Sequence, residues 1–440
     1  MREAFERAAK AAFERLKGDE VCSLHFEGEE SHFVRFNKAA VRQAGKVRQM
    51  RLGLQLIRGS RQMQGSITLS GEEAEDRAQV GRMLGELRRA LPLLPEDPHL
   101  AYPADGARSE RAGEDRLPPA ERAVADILAV SKGHDMAGFH AQGGIYAGFA
   151  SSLGARRWFA SHCFNFDWSF YAGGDKAAKA RYAGFEWDAE ALAGRAARAA
   201  QETALLARPE RAVPPGRYRT FLGPYAVEDF VGTVARRGFG LKALRTRRSS
   251  LLQMAEEGRR LSPLVRLDEA PAAGVGPDFQ EEGFLKAPRV PLLKDGSLGD
   301  SLVSPRSSKE YRVPTNGASE GETPEALSMA AGDLPMAEAL ARLGTGVYVG
   351  DLWYLNYSDL ASCRITGLTR FATFWVEGGE IAAPLRVMRF DESVYRVLGE
   401  NLAALTKERE LILDPGTYRQ RSTRSAVAPG ALVEEFELTL

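Results

Sequence analysis

A chain of 440 residues is longer than one hydrophobic core ordinarily serves, so two or three domains are expected. Basic and acidic side chains number 59 each, and a formal net charge of 0 excludes a global field able to hold nucleic acid or an anionic membrane. Three widely spaced cysteines, Cys22, Cys163 and Cys363, without a CxxC pair, argue against a disulfide framework and against a Cys-rich zinc site.

The chain opens on a charged amphipathic segment in which Phe5, Ala8, Ala9, Ala12 and Leu16 recur at helical spacing, with Gly18 as its stop. Alternation then takes over: Cys22, Leu24 and Phe26, Val34 and Phe36, Met50 to Leu56, and Met63, Ile67 and Leu69. This reads as an antiparallel meander with one wet face. Helix returns from Glu72 to about Ala90, with Val80, Met83, Leu84 and Leu87 on one side. Residues 91–118, rich in Pro, Asp and Gly, read as a long mobile link.

A second helix-and-sheet unit begins at Pro119, with Ala123, Ile127, Leu128 and Val130 as a stripe. In WFASHCFNFDWSFY the even positions from Trp158 to Phe170 are nearly all aromatic, which predicts a strand with one aromatic face buried. The same parity puts His162 and Cys163 on opposite faces, so they do not form a dyad. Asp188 is the expected N-cap of an Ala-rich helix running to about Ala207. The prolines and charges of 208–217 mark a linker between an N-terminal α/β domain (1–207) and a β-rich C-terminal domain (218–440). The fold class is α+β.

Within the C-terminal domain, Ala226 to Arg236 reads as helix and 258–333 as loop with short strands. Pro335 starts a helix that Gly344 ends. From Gly346 onward, Val347 to Tyr357 and Thr369 to Trp375 alternate as strands, and Gly378-Gly379 supplies a tight hairpin. A helix capped by Asp391, with Val394, Val397, Leu398, Leu402 and Leu405 on one face, is expected to follow. No stretch reaches the roughly 20 apolar residues that a membrane helix needs. A soluble protein of the reducing cytoplasm is therefore expected.

All six histidines, His25, His32, His99, His134, His140 and His162, precede residue 163, so the C-terminal domain must work without imidazole. No His is followed by Glu, and GxSxG is missing. Gly238 to Ala243 mimics a dinucleotide fingerprint but follows a helix rather than a strand. The same region holds a basic patch of Arg236, Arg237, Lys242, Arg245, Arg247 and Arg248, without the interleaved aromatics of a nucleic-acid site. Loop carboxylates such as Asp278, Glu281, Glu282, Asp295, Asp300 and Glu310 show no EF-hand spacing. From residue types alone, no catalytic or metal-binding residue is assigned.

Several segments in series resemble the TldD/PmbA family, also known as modulators of DNA gyrase. They are RFNKAAVRQAGKVRQMRLGL, PPGRYRTFLGPYAVEDFV, PDFQEEGF, VPTNGAS and the long block from Ile365 to Thr406. The resemblance implies proteases built from paired subunits, TldD carrying zinc on an HExxxH helix and TldE (PmbA) lacking the ligands. Here the corresponding helix, Tyr225 to Val231, has no histidine, and no cysteine follows Cys363. The chain thus resembles the TldE type: no cofactor of its own, zinc in a TldD-like partner, and an unfolded peptide as substrate. Without HExxxH it is not expected to be catalytic by itself. A homo- or heterodimer enclosing a chamber is implied, with Asn356, Tyr357, Thr366 and Gly367 chosen as peptide contacts in a loop where two strand systems meet. Two other readings remain open: a homodimeric peptide-binding scaffold, and a nucleic-acid-associated regulator relying on the basic patch.

Overall fold

The structure, a computed structural model, describes residues 1–174 and 176–440. Its first sheet starts as a long hairpin, β1 (Val21–Asn37) and β2 (Ala40–Arg58), continued by β3 (Arg61–Thr68). The register runs from Val21↔Ile57 to Asn37↔Ala40, and the turn residues Lys38 and Ala39 both have positive φ, 51° and 53°, as a tight two-residue hairpin requires. β2 thus begins well before the apolar alternation at Met50. Its first half, AVRQAGKVRQ, is polar on both faces and gives no period to read.

Helices α1 (Arg2–Phe13) and α2 (Glu73–Ala90) cover one face of this hairpin. Phe5, Ala8, Ala12, Val80, Leu84 and Leu87 meet Leu24, Phe26, Leu52 and Leu54 in one core. The link that follows is partly strand: β4 (Arg108–Ala112) runs parallel to the later strand β6 (Arg156–Gly173), with Arg108 opposite Arg156 and Ala112 opposite Ala160. Its charged sequence hides it, because its side chains lie at a sheet edge, where no face needs an apolar pattern.

After α3 (Ala120–Ser131) come β5 (Asp135–Ser151), β6 (Arg156–Gly173), β7 (Lys176–Gly184) and α4 (Ala189–Leu206). The sheet order is β3-β2-β1-β5-β6-β4, with β7 also on β6. The aromatic face of β6 is buried as its parity predicts: Phe164, Phe166, Trp168 and Phe170 pack under Ile127, Leu192 and Ala196. Its other face is not simply wet. Phe159 packs with Phe279, and Cys163 with Val275 and Leu413, because the C-terminal half lies against it.

The second sheet is mixed, with 11 strands. β8 (Gly216–Leu222) leads into α5 (Pro224–Gly238). Short strands β9 (Leu267–Glu269), β10 (Val290–Lys294), β11 (Ser297–Leu298) and β12 (Ala326–Met329) extend one side. β13 (Gly346–Asp359), β14 (Arg364–Glu377) and β15 (Glu380–Pro384) form consecutive hairpins, the second turning on Gly378 and Gly379 at φ 58° and 85°. β16 (Arg389–Ser393), β17 (Leu402–Leu413) and β18 (Ser425–Leu438) complete the set. Because β8 pairs with both β13 and β18, the strands β8-β13-β14-β16-β18 close on themselves, and α5 packs against β13 and β18. Among the described residues no helix is long and apolar enough to cross a membrane.

The helix expected from Asp391 to Leu405 forms only in its middle. Asp391 sits in β16, where its carboxylate accepts from Arg364 Nε at 2.8 Å and Ser358 Oγ at 2.9 Å, so it caps nothing. Residues 394–400 alone are helical, ending in one wide turn that the Asn401 N–H closes by donating to the Arg396 carbonyl at 2.9 Å. Leu402 and Leu405 belong to β17 and pair with Val433 and Ala431 across bulges, whose extra residues imitate helical spacing. Parity also fails to run through β13: irregular pairing near Trp353, with Tyr354 at φ 57°, turns Trp353 toward solvent while Val347 and Val349 stay buried.

Candidate functional site

A cleft runs between the uncovered face of the first sheet and the C-terminal half. One compartment, about 630 Å³, is lined by His25, Glu27, Tyr146, Lys286, Arg421 and Arg424 among others. A second, about 360 Å³, shares Glu325, Asp414 and Arg424 with it and reaches Arg181, Glu228 and Asp229. The strap joining β17 to β18 holds the two halves in register. Its Arg421 is buried and donates to the carbonyls of Cys163 at 3.0 Å and Gly143 at 3.3 Å on the first sheet. Burial raises the Cys163 thiol above its ordinary range, so it serves there as packing rather than as a nucleophile.

The floor of the smaller compartment is α5. Pro224 occupies its first turn, where a missing N–H costs nothing, and Ala226, Val227, Phe230, Val231 and Val234 face the core. Glu228, Gly232 and Arg236, four apart, fall on the face that lines the cleft, with Asp229 beside them. Facing them, β6 and β7 pair Asp167 with Arg181 and Ser169 with Lys179. Arg181 donates to Asp351 of β13 at 2.7 Å, lies 3.7 Å from Asp167, and stacks over the Tyr225 ring at 4.6 Å. Lys179 lies 3.7 Å from Asp351, and the Leu352 N–H donates to Asp229 at 3.3 Å.

Carboxylates outnumber cations in this cluster, and their protonation follows. Burial pushes Asp229 up to about 7; Arg181 works against that rise, while Asp351 and Glu228 add to it. Burial likewise raises Glu228. Burial opposes the Arg181 charge, and Asp351, Asp229, Asp167 and Glu228 more than restore it. The arrangement is therefore an arginine-centred acid cluster that can hold a proton near neutral pH.

The cluster does not fit a zinc ion. Zinc sites draw on imidazole, thiolate and free carboxylate, whereas here the guanidinium of Arg181 already fills the cationic position beside Asp351 and α5 offers no imidazole. Among the described residues no group of three or more His, Cys, Asp or Glu is placed to hold a metal ion.

The residues chosen from sequence lie elsewhere. Asn356 and Tyr357 are in β13, opposite Thr366 and Ile365 of β14, so these positions are paired strand rather than loop. The Tyr357 hydroxyl donates to the Thr233 carbonyl of α5 at 2.9 Å. Thr366 and Gly367 also pair with β16, so Thr366 is paired on both sides, and a Cβ on Gly367 would meet the Phe390 ring at 2.7 Å. The basic residues Arg236, Arg237, Lys242, Arg245, Arg247 and Arg248 are all exposed, along the end of α5 and the short helix after it. Arg236 borders the cleft and donates to the Thr233 hydroxyl, and Arg247 pairs with Glu256 at 2.7 Å.

Residues 215–440, just over half of the chain, match the family model described as the PmbA/TldA metallopeptidase C-terminal domain. The chain belongs to the PmbA/TldD family. Its fold is shared with TldE from Thermococcus kodakarensis, at TM-score 0.77 and 13% identity over 99% of this chain and 100% of that one. A protein of Thermotoga maritima described as a modulator of a DNA gyrase aligns over 100% of both chains at TM-score 0.74 and 14% identity. A Bacteroides thetaiotaomicron protein with the same description aligns at 0.72 and 17%, over 100% of this chain and 98% of that one. At these identities the likeness is one of fold. The search of curated proteins finds no match.

Proposed function

We propose that this chain is the TldE-type subunit of the PmbA/TldD family, pairing with a TldD-like zinc metallopeptidase and forming part of a chamber that receives unfolded peptide. The observation that carries this reading is α5. A helix in the domain that the family model describes as metallopeptidase carries Glu228 and Asp229 beneath Arg181, an acid cluster centred on a guanidinium, where hydrolysis would need metal ligands around an activated water. The chain's own contribution is then positional, through a cleft walled by two sheets.

Co-purification with a TldD-like protein, followed by zinc analysis and peptide hydrolysis, tests the reading. The expected result is a complex whose zinc content is unchanged by His134→Ala, His140→Ala and His162→Ala in this chain. Zinc-dependent peptide hydrolysis by this chain alone, or loss of zinc on any of these substitutions, would overturn it.

A further inference from the structure

Before Met50, β2 has a strand partner on one side only among the described residues. β3 pairs with Arg51 to Arg58, and the Leu69 N–H donates to the Met50 carbonyl; the stretch before that pairs with β1 alone. By alternation along an antiparallel strand, the N–H and C=O of Ala44, Lys46 and Arg48 also aim away from β1, into solvent. Where Arg35 pairs with Gln43 and Phe36 with Val41, Arg42 is left as the extra residue of a bulge that ends the regular edge.

An unpaired edge usually carries protection, and here the protection has one sign. β2 contains Arg42, Lys46, Arg48, Arg51 and Arg58 and no carboxylate. Lys46 reaches Glu30 at 3.3 Å, while Arg42 and Arg48 make no ion pair among the described residues. A second copy is a poor occupant. Any two-fold axis at a residue from Ala44 to Arg48 sets one of Arg42, Lys46 and Arg48 opposite one of the same three in the other copy, and facing like charges destabilise a strand pair.

The other face of the same edge is different. Gln43, Gly45, Val47 and Gln49 border a groove of about 430 Å³ in which Phe33 and Phe139 form the apolar part and Glu29, Arg35, Arg419 and Gln420 the polar rim. Phe33 and Phe139 stack there at 5.9 Å, and among the described residues nothing lies within 4 Å of where a Gly45 Cβ would be. An added strand therefore meets cations on one face and a partly apolar groove on the other.

We propose that the β2 edge from Gln43 to Gln49 captures an extended peptide by strand addition, selecting acidic residues at alternate positions and apolar residues between them. The acidic side chains lie opposite Lys46 and Arg48, with Arg42 at the end, and the apolar ones enter the groove beside Gly45 and Val47. This deepens the peptide-handling role proposed above by naming the class of segment held, yet it needs no peptidase partner.

Fluorescence anisotropy of the full chain with a labelled peptide of alternating Glu and Val, long enough to span the edge, tests it. Binding should weaken by at least about tenfold for the same peptide N-methylated along one edge, and for a peptide with its Glu residues in one block. The triple variant R42E/K46E/R48E should lose the Glu peptide and gain one alternating Lys and Val. Amide exchange of residues 43–49 should slow when the Glu peptide binds the native chain, a readout independent of any variant's folding. Equal binding of the N-methylated or block peptide would overturn strand addition. So would concentration-dependent dimerisation that the triple variant abolishes, since the occupant would then be a second copy. Failure of co-purification with a TldD-like protein would leave this result untouched, so the two readings fail separately.

Discussion

Asp229 is held by the Leu352 N–H on one side and faces Arg181, Asp351 and Glu228 on the others. Burial pushes its carboxyl up to about 7, against about 3.9 for an unfolded aspartate. A carboxyl raised by folding keeps its full contribution below the unfolded value, and stability falls as pH rises from about 4 through about 7. Asp229→Asn keeps an acceptor for Leu352 and removes the titration. Urea unfolding at pH 5 and pH 8 should show the native chain losing on the order of 1 kcal/mol more than the variant over that interval. Parallel losses would show that Asp229 does not titrate there. Neither Asp351 nor Arg181 stands out in the sequence, since 170 positions separate them and each reads as one more charge on a strand.

At the scale of elements, what could be read locally was readable. The Asp188 carboxylate accepts from the Glu190 and Ala191 N–H groups and starts α4, as its position before an Ala-rich stretch predicts. Asp188→Ala should cost about 1 kcal/mol in thermal or urea unfolding, and Asp188→Ser should recover most of it. An unchanged midpoint for the alanine variant would mean that tertiary packing alone sets the end of α4. The elements that escaped did so for physical reasons. The first half of β2 and all of β4 lie where no helix covers them, so selection for an apolar face is absent. The start of β17 imitates a helix because bulges shift the spacing of Leu402 and Leu405.

For the whole molecule, the decisive contact is the strap between β17 and β18. Arg421 leaves the C-terminal half and donates to the Cys163 and Gly143 carbonyls of β6 and β5, which fixes the width of the cleft. Arg421→Ala leaves those buried acceptors unpaired and should cost about 1–3 kcal/mol. It should also speed amide exchange and proteolysis between residues 414 and 424 while leaving exchange in α1 and α2 unchanged. Uniform acceleration across the chain would instead indicate global destabilisation, with no special role for the strap.

Sequence alone determined the two sheet-bearing halves, the apolar stripes of α1 to α5, the tight turn at Gly378-Gly379 and the absence of histidine beyond His162. All of these are written in local periods, special backbone angles or residue identity, which neighbours along the chain suffice to express. The tertiary structure alone decided that β6 is buried on both faces over part of its length, that Arg181 gathers an acid cluster against α5, and that β2 carries a free basic edge. Each of these depends on which distant segment lies across a face or beside an edge, and burial, protonation and unpaired backbone groups are properties of that neighbour as much as of the residue itself.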